Sequence, residues 1–165
     1  IRDPAEQFVS MYHMLKSEEL RNTTDCADDL HHAVGLAAQY RRTGEAFEGF
    51  MYELHQFGGR FDAPLKAIRS VFGAERVHIV HLDQLRTHPG TTVAAIRRFL
   101  GIPEGDAEFT QYPVVNRGKR GLDVLCGAGD KALELRRDLV AMLADEYAAL
   151  YAPGSPFHHL RRGPC

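Results

Sequence analysis

The stretch Val77-His78-Ile79-Val80-His81-Leu82 decides the fold class of this 165-residue chain. β-Branched and apolar side chains occupy both faces of the segment, which is typical of a strand inside a parallel sheet covered by helices. The segments on either side instead repeat their apolar residues at helical spacing. The sequence therefore predicts an α/β protein, although one strand cannot form a sheet by itself.

The first helix is predicted close to the beginning of the sequence. Asp3 suits the N-cap and Pro4 the first helical position, while Glu6 at the third position completes a capping box. Apolar residues then recur at helical spacing, which predicts a helix with one buried stripe as far as about Leu15. The residues of that stripe are Phe8, Met11, Tyr12 and Leu15.

Further helices are predicted along the rest of the chain. They run from about Glu45 to Gly58, from Asp62 to Gly73, from Pro89 to Leu100, and from Asp130 to Tyr151 as one long helix. Residues 16–43 predict a loop with weak helix, residues 104–129 lack periodicity, and the tail beyond Pro153 is expected to fray. The side chains predicted to face a core are Phe47, Phe50, Met51, Leu54, Leu65, Ile68, Phe72, Val93, Ile96, Phe99, Leu100, Leu135, Leu139, Met142, Leu143, Leu150 and Tyr151.

Composition limits the classes to which the protein can belong. A net charge of −2 lacks the strongly basic balance of proteins that bind nucleic acid or membrane surfaces, so neither is an expected partner. Cys26, Cys126 and Cys165 form no C-x-x-C pair, and the nine histidines form no metal-binding pattern. The sparse cysteines indicate a reducing compartment, and we expect a cytoplasmic, bacterial protein without a bound metal.

Length and strand content lead to different expectations about the extent of the domain. A chain of 165 residues is long enough to form a single domain over 1–165. However, the sequence begins at Ile1 without an initiator methionine, and one strong strand is too few for a sheet. We therefore expect the chain to be part of a longer protein that supplies the other strands.

Arg2 and Ser10 suggest a site for an anion at the first helix. Arg2 precedes a helix N-terminus, where free N–H groups and the helix dipole favour negative charge, and Ser10 follows about 10 Å further along at 1.5 Å per residue. A guanidinium and a hydroxyl together suit a phosphate dianion. The alternative is that Arg2 pairs with a neighbouring carboxylate and Ser10 is an ordinary polar helix residue.

A second candidate for anion binding is the loop Asn116-Arg117-Gly118-Lys119-Arg120-Gly121. Its glycines allow backbone amides to approach a ligand closely, while its three cationic side chains supply charge. The alternative is a solvated basic loop, which short basic runs usually form.

Three segments of the sequence, taken in order, resemble sulfotransferases that use 3′-phosphoadenosine 5′-phosphosulfate. The segment 1–15, with Arg2-Asp3-Pro4, Ser10, Tyr12 and Leu15, resembles the R-D-P-x-x-x-x-x-S-x-Y-x-x-L segment of that family. The family also has a run that consists of a strand, Y-E-D-L, a proline, a helix and F-L-G-L-P. This run is similar, in order and spacing, to the predicted strand and the residues 82–85, Pro89 and 99–103 that follow it. The basic loop lies where the family has a late cofactor-binding loop. The resemblance spans about residues 1–151.

The resemblance implies a P-loop-NTPase-like three-layer sandwich with a parallel sheet, represented here by its helix-rich C-terminal portion. It implies that Arg2 and Ser10 bind the 3′-phosphate of the cofactor and that Arg117, Gly118 and Lys119 close over the same phosphate. The implied activity is transfer of a sulfuryl group from 3′-phosphoadenosine 5′-phosphosulfate to a hydroxyl or amine, and no metal is implied.

The sequence also departs from the family pattern. Asp83-Gln84 replaces the usual Glu-Asp, and neither a G-x-x-x-x-G-K-[ST] nor a K-x-G-T-T loop for the 5′-phosphosulfate occurs. In the family that loop and the usual catalytic base precede the Arg-Asp-Pro segment. This sequence therefore indicates the 3′-phosphate half of the site, with His13 as a weak candidate for the base.

The acceptor is expected to be a small molecule or a carbohydrate held by the variable helical region 16–60. Arg41 and Arg42 suit an acidic or sugar acceptor, with Tyr40, Phe47 and Tyr52 beside them, although the phenylalanine fits a helical cap equally well. The oligomeric state is not indicated. The alternative function is a non-catalytic helical module that binds a nucleotide or a protein.

Overall fold

Helices account for most of the regular structure in the computed structural model, which describes residues 1–18, 30–44, 49–103, 125, 129–155 and 157–160. No strand occurs among these residues, so the predicted parallel sheet is not shown. Two 3₁₀ turns lie at Ala74–Arg76 and His158–Leu160. The helices are α1 (Pro4–Glu18), α2 (Leu30–Thr43), α3 (Gly49–Phe57), α4 (Asp62–Phe72), α5 (Leu82–Thr87), α6 (Pro89–Phe99), α7 (Asp130–Met142) and α8 (Ala144–Tyr151).

The chain divides into two compact units. The first unit comprises Ile1–Arg2 and Ala63–Arg117, and the second comprises Asp3–Asp62 and Gly118–Cys165. In the second unit α1 packs against α3 and α7, and α2 packs against the same two helices. In the first unit α5 packs against α6.

The core of the second unit is apolar and largely follows the predicted stripes. Phe8, Tyr12 and Leu15 of α1 are buried as predicted, together with Val9. Burial of such side chains is the main favourable contribution to folding. The other large apolar side chains of this core are Leu30, Val34, Met51, Leu54, Leu125, Leu135, Leu139, Leu143, Tyr147, Leu150, Tyr151 and Phe157.

Several predicted element boundaries of the second unit were wrong. Within the stretch 16–43, which was predicted as a loop with weak helix, residues 30–43 form the complete helix α2. Half of the buried residues of α2 are alanines, which gives a weak apolar period. The single helix predicted from Asp130 to Tyr151 is two helices that break at Leu143, and Gly129 rather than Asp130 is the N-cap of α7. The tail is ordered over 157–160, where Phe157 is buried. The predicted start of α3 at Glu45 and the side chains of Phe47 and Phe50 lie outside the described residues.

The turn Gly58-Gly59 ends α3 as predicted and brings its end against the start of α1. Gly59 has a φ of 72°, and a Cβ at this position would lie 2.4 Å from the carbonyl oxygen of Pro4. The Gly59 amide donates to the Gln7 side chain at 2.5 Å. Only glycine combines this φ with so close an approach.

In the first unit the predicted strand is an extended segment, and Leu82 begins α5 instead of ending the strand. The Ile1 nitrogen donates to the Val80 carbonyl at 2.7 Å, and the Ile1 carbonyl accepts from the Leu82 amide at 2.7 Å. Contacts of one residue with both neighbours of a facing residue are the pattern of a parallel ladder. The segment therefore has the pairing of a parallel strand at one position only.

The apolar faces of α4 and α6 are more exposed than predicted. The exposed fractions are 44% for Ile68, 59% for Phe72, 39% for Phe99 and 59% for Leu100, where the pattern predicts burial. An amphipathic stripe is buried only when another layer packs on it. Phe99 stacks on the ring of His78, with the ring centroids 5.0 Å apart, and is still 39% exposed.

Substitution of Gly59 tests the close approach of α3 and α1. We expect Gly59→Ala to lower the free energy of unfolding by roughly 1–3 kcal/mol, because alanine is strained at positive φ and its Cβ meets the Pro4 carbonyl. The matched control is Gly35→Ala in α2, where an added Cβ meets nothing within 4 Å. Chemical denaturation of both variants measures the difference, and equal effects at the two glycines would contradict this account.

Candidate functional site

The beginning of α1, where the anion site is predicted, contains a buried carboxylate. Asp3 is 6% exposed, and its Oδ1 accepts from the Ala5 amide at 3.0 Å and from the Glu6 amide at 3.2 Å. The same oxygen accepts from the Tyr147 hydroxyl of α8 at 2.7 Å. The predicted N-cap is confirmed, and its contact with Tyr147 has no counterpart in the local sequence pattern.

This capping arrangement corrects one part of the anion hypothesis. The Ala5 and Glu6 amides donate to Asp3 Oδ1, the Gln7 amide donates to the Asp3 carbonyl at 2.9 Å, and Pro4 has no N–H group. The amides of the first turn are therefore already engaged and do not form an open anion cradle. Any anion held here depends on side-chain donors.

The side-chain donors predicted for the phosphate are Arg2 and Ser10. Both are partly exposed; Arg2 belongs to the first unit and Ser10 lies on α1 in the second. Ion pairs between Arg2 and a carboxylate are absent from the residues that the structure describes, so the proposed neutralisation of Arg2 by a neighbour is not observed there. Arg117, Gly118 and Lys119 lie outside the described residues. Their common role stays a prediction.

His13, the weak candidate for a catalytic base, lies on α1 with its Nε2 atom buried. Its ring contacts that of Tyr12 edge-on, with the ring centroids 5.3 Å apart. Nothing in these contacts relates His13 to a reacting group, and its role stays a prediction.

The segment that differs from the family pattern, Asp83-Gln84, caps the start of α5. His81 is 1% exposed; its Nδ1 accepts from the Asp83 amide at 3.2 Å, while Gln84 Oε1 accepts from the His81 amide at 3.0 Å. The Asp83 carboxylate contacts Arg86 at 3.2 Å. These contacts form a capping box built on histidine, which gives both residues of the segment a structural role.

A buried polar cluster that the sequence did not reveal connects α3, α8 and the segment 60–62. Glu146 is 6% exposed, and its Oε2 accepts from the Phe61 and Asp62 amides at 2.8 Å each. Its other oxygen lies 4.0 Å from Arg60 Nε. Since these partners are more than eighty residues apart in sequence, no local spacing could predict their contact.

His55 extends this polar cluster towards α2. It is 5% exposed, its Nε2 lies 3.4 Å from Arg60 Nη1, and its ring centroid lies 3.8 Å from that of Tyr40. Burial, followed by the positive charges of Arg60 and Arg41, lowers the pKa of His55 to about 4. His55 is therefore neutral near pH 7 and cannot carry a proton for catalysis there.

Arg41 and Arg42, predicted to lie at an acceptor site, line a groove between α2 and α7. The groove has a volume of about 500 Å³, within the range usual for small-molecule sites. Arg41 donates to the Met142 carbonyl, and burial followed by the charge of Arg60 lowers its pKa. Of the other residues predicted for this site, Tyr40 packs on His55, while Tyr52 on α3 is exposed and does not line the groove.

Within the described residues, no group of three or more histidine, cysteine or acidic side chains could hold a metal ion. None of the described helices is long and apolar enough to cross a membrane.

The Tyr147–Asp3 hydrogen bond can be tested by removing one hydroxyl. Burial, followed by the charge of Asp3, raises the pKa of Tyr147, so the phenol keeps its proton and donates it. We expect Tyr147→Phe to lower the free energy of unfolding by about 1.5–3 kcal/mol, the range for hydrogen bonds to charged groups. The exposed Tyr52→Phe is the control, with an effect within about 0.5 kcal/mol. Equal stabilities of the two variants would refute the assignment.

The buried neutral state of His55 predicts a dependence of stability on pH. Between pH 6.5 and 4 the unfolded chain protonates this imidazole and the folded chain does not, so stability falls as the pH falls. We expect a contribution of about 2 kcal/mol to be lost between pH 7 and pH 5. Chemical denaturation at pH 7 and pH 5 measures the loss of unfolding free energy between the two pH values. This loss should be smaller for His55→Gln than for His32→Gln, the control at an exposed position of α2. The same slope in both variants would contradict the prediction.

Comparison with protein families gives one match: residues 1–112 match a family model described as a sulfotransferase domain. The match includes Arg2, Ser10 and His13, and it ends before Arg117. No curated protein matches the chain, and no solved structure matches it. The matched residues make up more than half of the chain.

Proposed function

The chain belongs to the sulfotransferase domain family, and on that premise we propose that it transfers a sulfuryl group from 3′-phosphoadenosine 5′-phosphosulfate to a hydroxyl or amine acceptor. The observation that carries this proposal is the family match through the Arg2–Ser10 segment. The proposed fold is the P-loop-NTPase-like sandwich that the resemblance implies, with its parallel sheet. We also propose a cytoplasmic location, supported only by the sparse cysteines.

The donor set at the start of α1 fits a phosphate group. Arg2 offers a planar fork of N–H donors and Ser10 a hydroxyl, and both are partly exposed, so a ligand can reach them. Asp3 Oδ1 accepts from two amides and from the Tyr147 hydroxyl, so this oxygen is engaged within the second unit. We propose that Arg2 and Ser10 bind the 3′-phosphate, with Arg117, Gly118 and Lys119 completing the site.

In this proposal the residues of the chain act by binding and orientation. The cofactor, when bound, supplies an activated sulfuryl group for in-line attack by the acceptor, a reaction similar to phosphoryl transfer. Arg2 and Ser10 hold a phosphate remote from the reacting bond, so their binding energy serves to align the reactants. The base that takes the acceptor proton is not assigned. Burial and two guanidinium groups lower the pKa of His55 to about 4, which makes it a weak base near pH 7. His13 stays a weak candidate.

Calorimetry with 3′-phosphoadenosine 5′-phosphate tests the binding half of the proposal. We expect Arg2→Ala to weaken binding by at least about 1.5 kcal/mol, or roughly tenfold, and Ser10→Ala to weaken it by a similar amount. Arg76→Ala is the matched control, because Arg76 is an exposed arginine of the same unit as Arg2. Unchanged affinity of the Arg2 variant would refute its assignment.

Turnover separates the proposed enzyme from a non-catalytic nucleotide-binding module. Incubation with the sulfuryl donor and candidate acceptors should release 3′-phosphoadenosine 5′-phosphate in step with a sulfated product. Nucleotide binding without any release across small-molecule and carbohydrate acceptors would favour the module.

A further inference from the structure

The α2–α7 groove of the second unit has an apolar floor. Val34 and Leu135 are 3% and 1% exposed, and Ala38, Ala141 and Met142 continue the same surface. Ala38 lies on α2 and Ala141 on α7, so both helices contribute a small apolar side chain to the lining. A floor of this kind binds by burial of apolar surface and offers few polar partners.

The charged side chains that line the groove balance one another. Arg41 and Arg42 come from α2, whereas Asp138 comes from α7 and Asp145 from α8, so two cationic groups face two carboxylates. The carbonyl of Met142 already engages Arg41. Burial and then the charge of Arg60 lower the pKa of Arg41, while the charges of Glu146 and then Asp145 act in the opposite direction. The formal charges of these four lining side chains sum to zero, so the lining gives little net attraction to a polyanion. Asp138 also lies 3.5 Å from Arg137 Nε.

We propose that the α2–α7 groove binds a small amphipathic molecule with no net charge, whose apolar part lies on the floor and whose hydroxyl or zwitterionic group meets the charged side chains. Of the acidic and sugar acceptors expected from Arg41 and Arg42, only the uncharged sugar agrees with this proposal. Identification of the ligand with the sulfuryl acceptor rests on the proposed function, whereas binding of the ligand does not.

A matched pair of naphthalene compounds tests the class of ligand. 1-Naphthaleneethanol is neutral and 1-naphthaleneacetate is an anion, while both present the same ring to the floor. The chain contains no tryptophan, so naphthalene fluorescence anisotropy reports binding directly. We expect the alcohol to bind at least about tenfold more tightly than the anion. Equal binding of the two compounds, or tighter binding of the anion, would overturn the proposal.

A leucine at Gly35 tests whether the compound binds in the groove. Gly35 lines the groove within α2, and an added Cβ meets nothing within 4 Å, so Gly35→Leu fills space without a clash and improves helix propensity. We expect binding of 1-naphthaleneethanol to fall at least about tenfold. His32→Leu adds the same side chain to α2 at an exposed position outside the groove and should bind as the unaltered chain does. Unchanged binding by Gly35→Leu would overturn the location.

The charge balance is tested by removing both carboxylates. Asp138→Asn with Asp145→Asn removes both carboxylates of the lining and leaves Glu146 as the carboxylate that still acts on Arg41. We expect the preference to shift towards 1-naphthaleneacetate by about tenfold. No shift would contradict the role of charge balance. Gly35→Leu should leave the affinity for 3′-phosphoadenosine 5′-phosphate unchanged. A chain that does not bind the nucleotide and a groove that does not bind 1-naphthaleneethanol are therefore separate results.

Discussion

The carboxylate of Asp3 is the group on which the arrangement of the second unit depends most. It accepts from two amides of α1 and from the hydroxyl of Tyr147, which lies 144 residues away in sequence. A buried charge without such donors would cost several kcal/mol, and with them it connects the first turn of α1 to α8. The residue that directly precedes this anchor is Arg2. Arg2, which we propose binds the phosphate, is therefore adjacent in sequence to a residue whose side chain is fixed by three hydrogen bonds.

Glu146 provides a second anchor of the same kind. One of its oxygens accepts from two consecutive amides at the start of α4, and its other oxygen lies near Arg60. The two carboxylates thus connect helix α8 to both ends of the segment 3–62. Asp3, at the beginning of this segment, bonds to Tyr147, and Asp62, at its end, bonds to Glu146. Next to Glu146, the neutral imidazole of His55 completes a cluster in which two guanidinium groups lie near one buried carboxylate. The contacts of this cluster connect α8 and α3 to the segment 60–62, which explains its burial without a catalytic role.

The sequence predicted those features that short-range patterns determine. The cap at Asp3, the buried stripe of α1 and the glycine turn after α3 each depend on residues within one or two turns of each other. Helix α2 was predicted only as weak helix within a loop because alanines make up much of its buried face. The partners of Asp3 and Glu146 were not predicted because they are distant in sequence. The sequence predicted that segment 77–81 is extended. A strand also needs a partner strand to pair with, and in the described residues Ile1 is the one residue that pairs with this segment. The family was predictable from three segments taken in order, namely 1–15, the run from the extended segment to 103, and the basic loop 116–121. The engaged amides and the lining of the groove required the structure.

A double-mutant cycle between Asp3 and Tyr147 tests the central claim most directly. Asp3→Asn, Tyr147→Phe and the double variant are compared by the free energy of unfolding, with the control pair Asp3→Asn and Tyr52→Phe. The account predicts a coupling energy of about 1.5–3 kcal/mol for Asp3 with Tyr147 and about zero for the control pair. Additive effects of Asp3→Asn and Tyr147→Phe would contradict it.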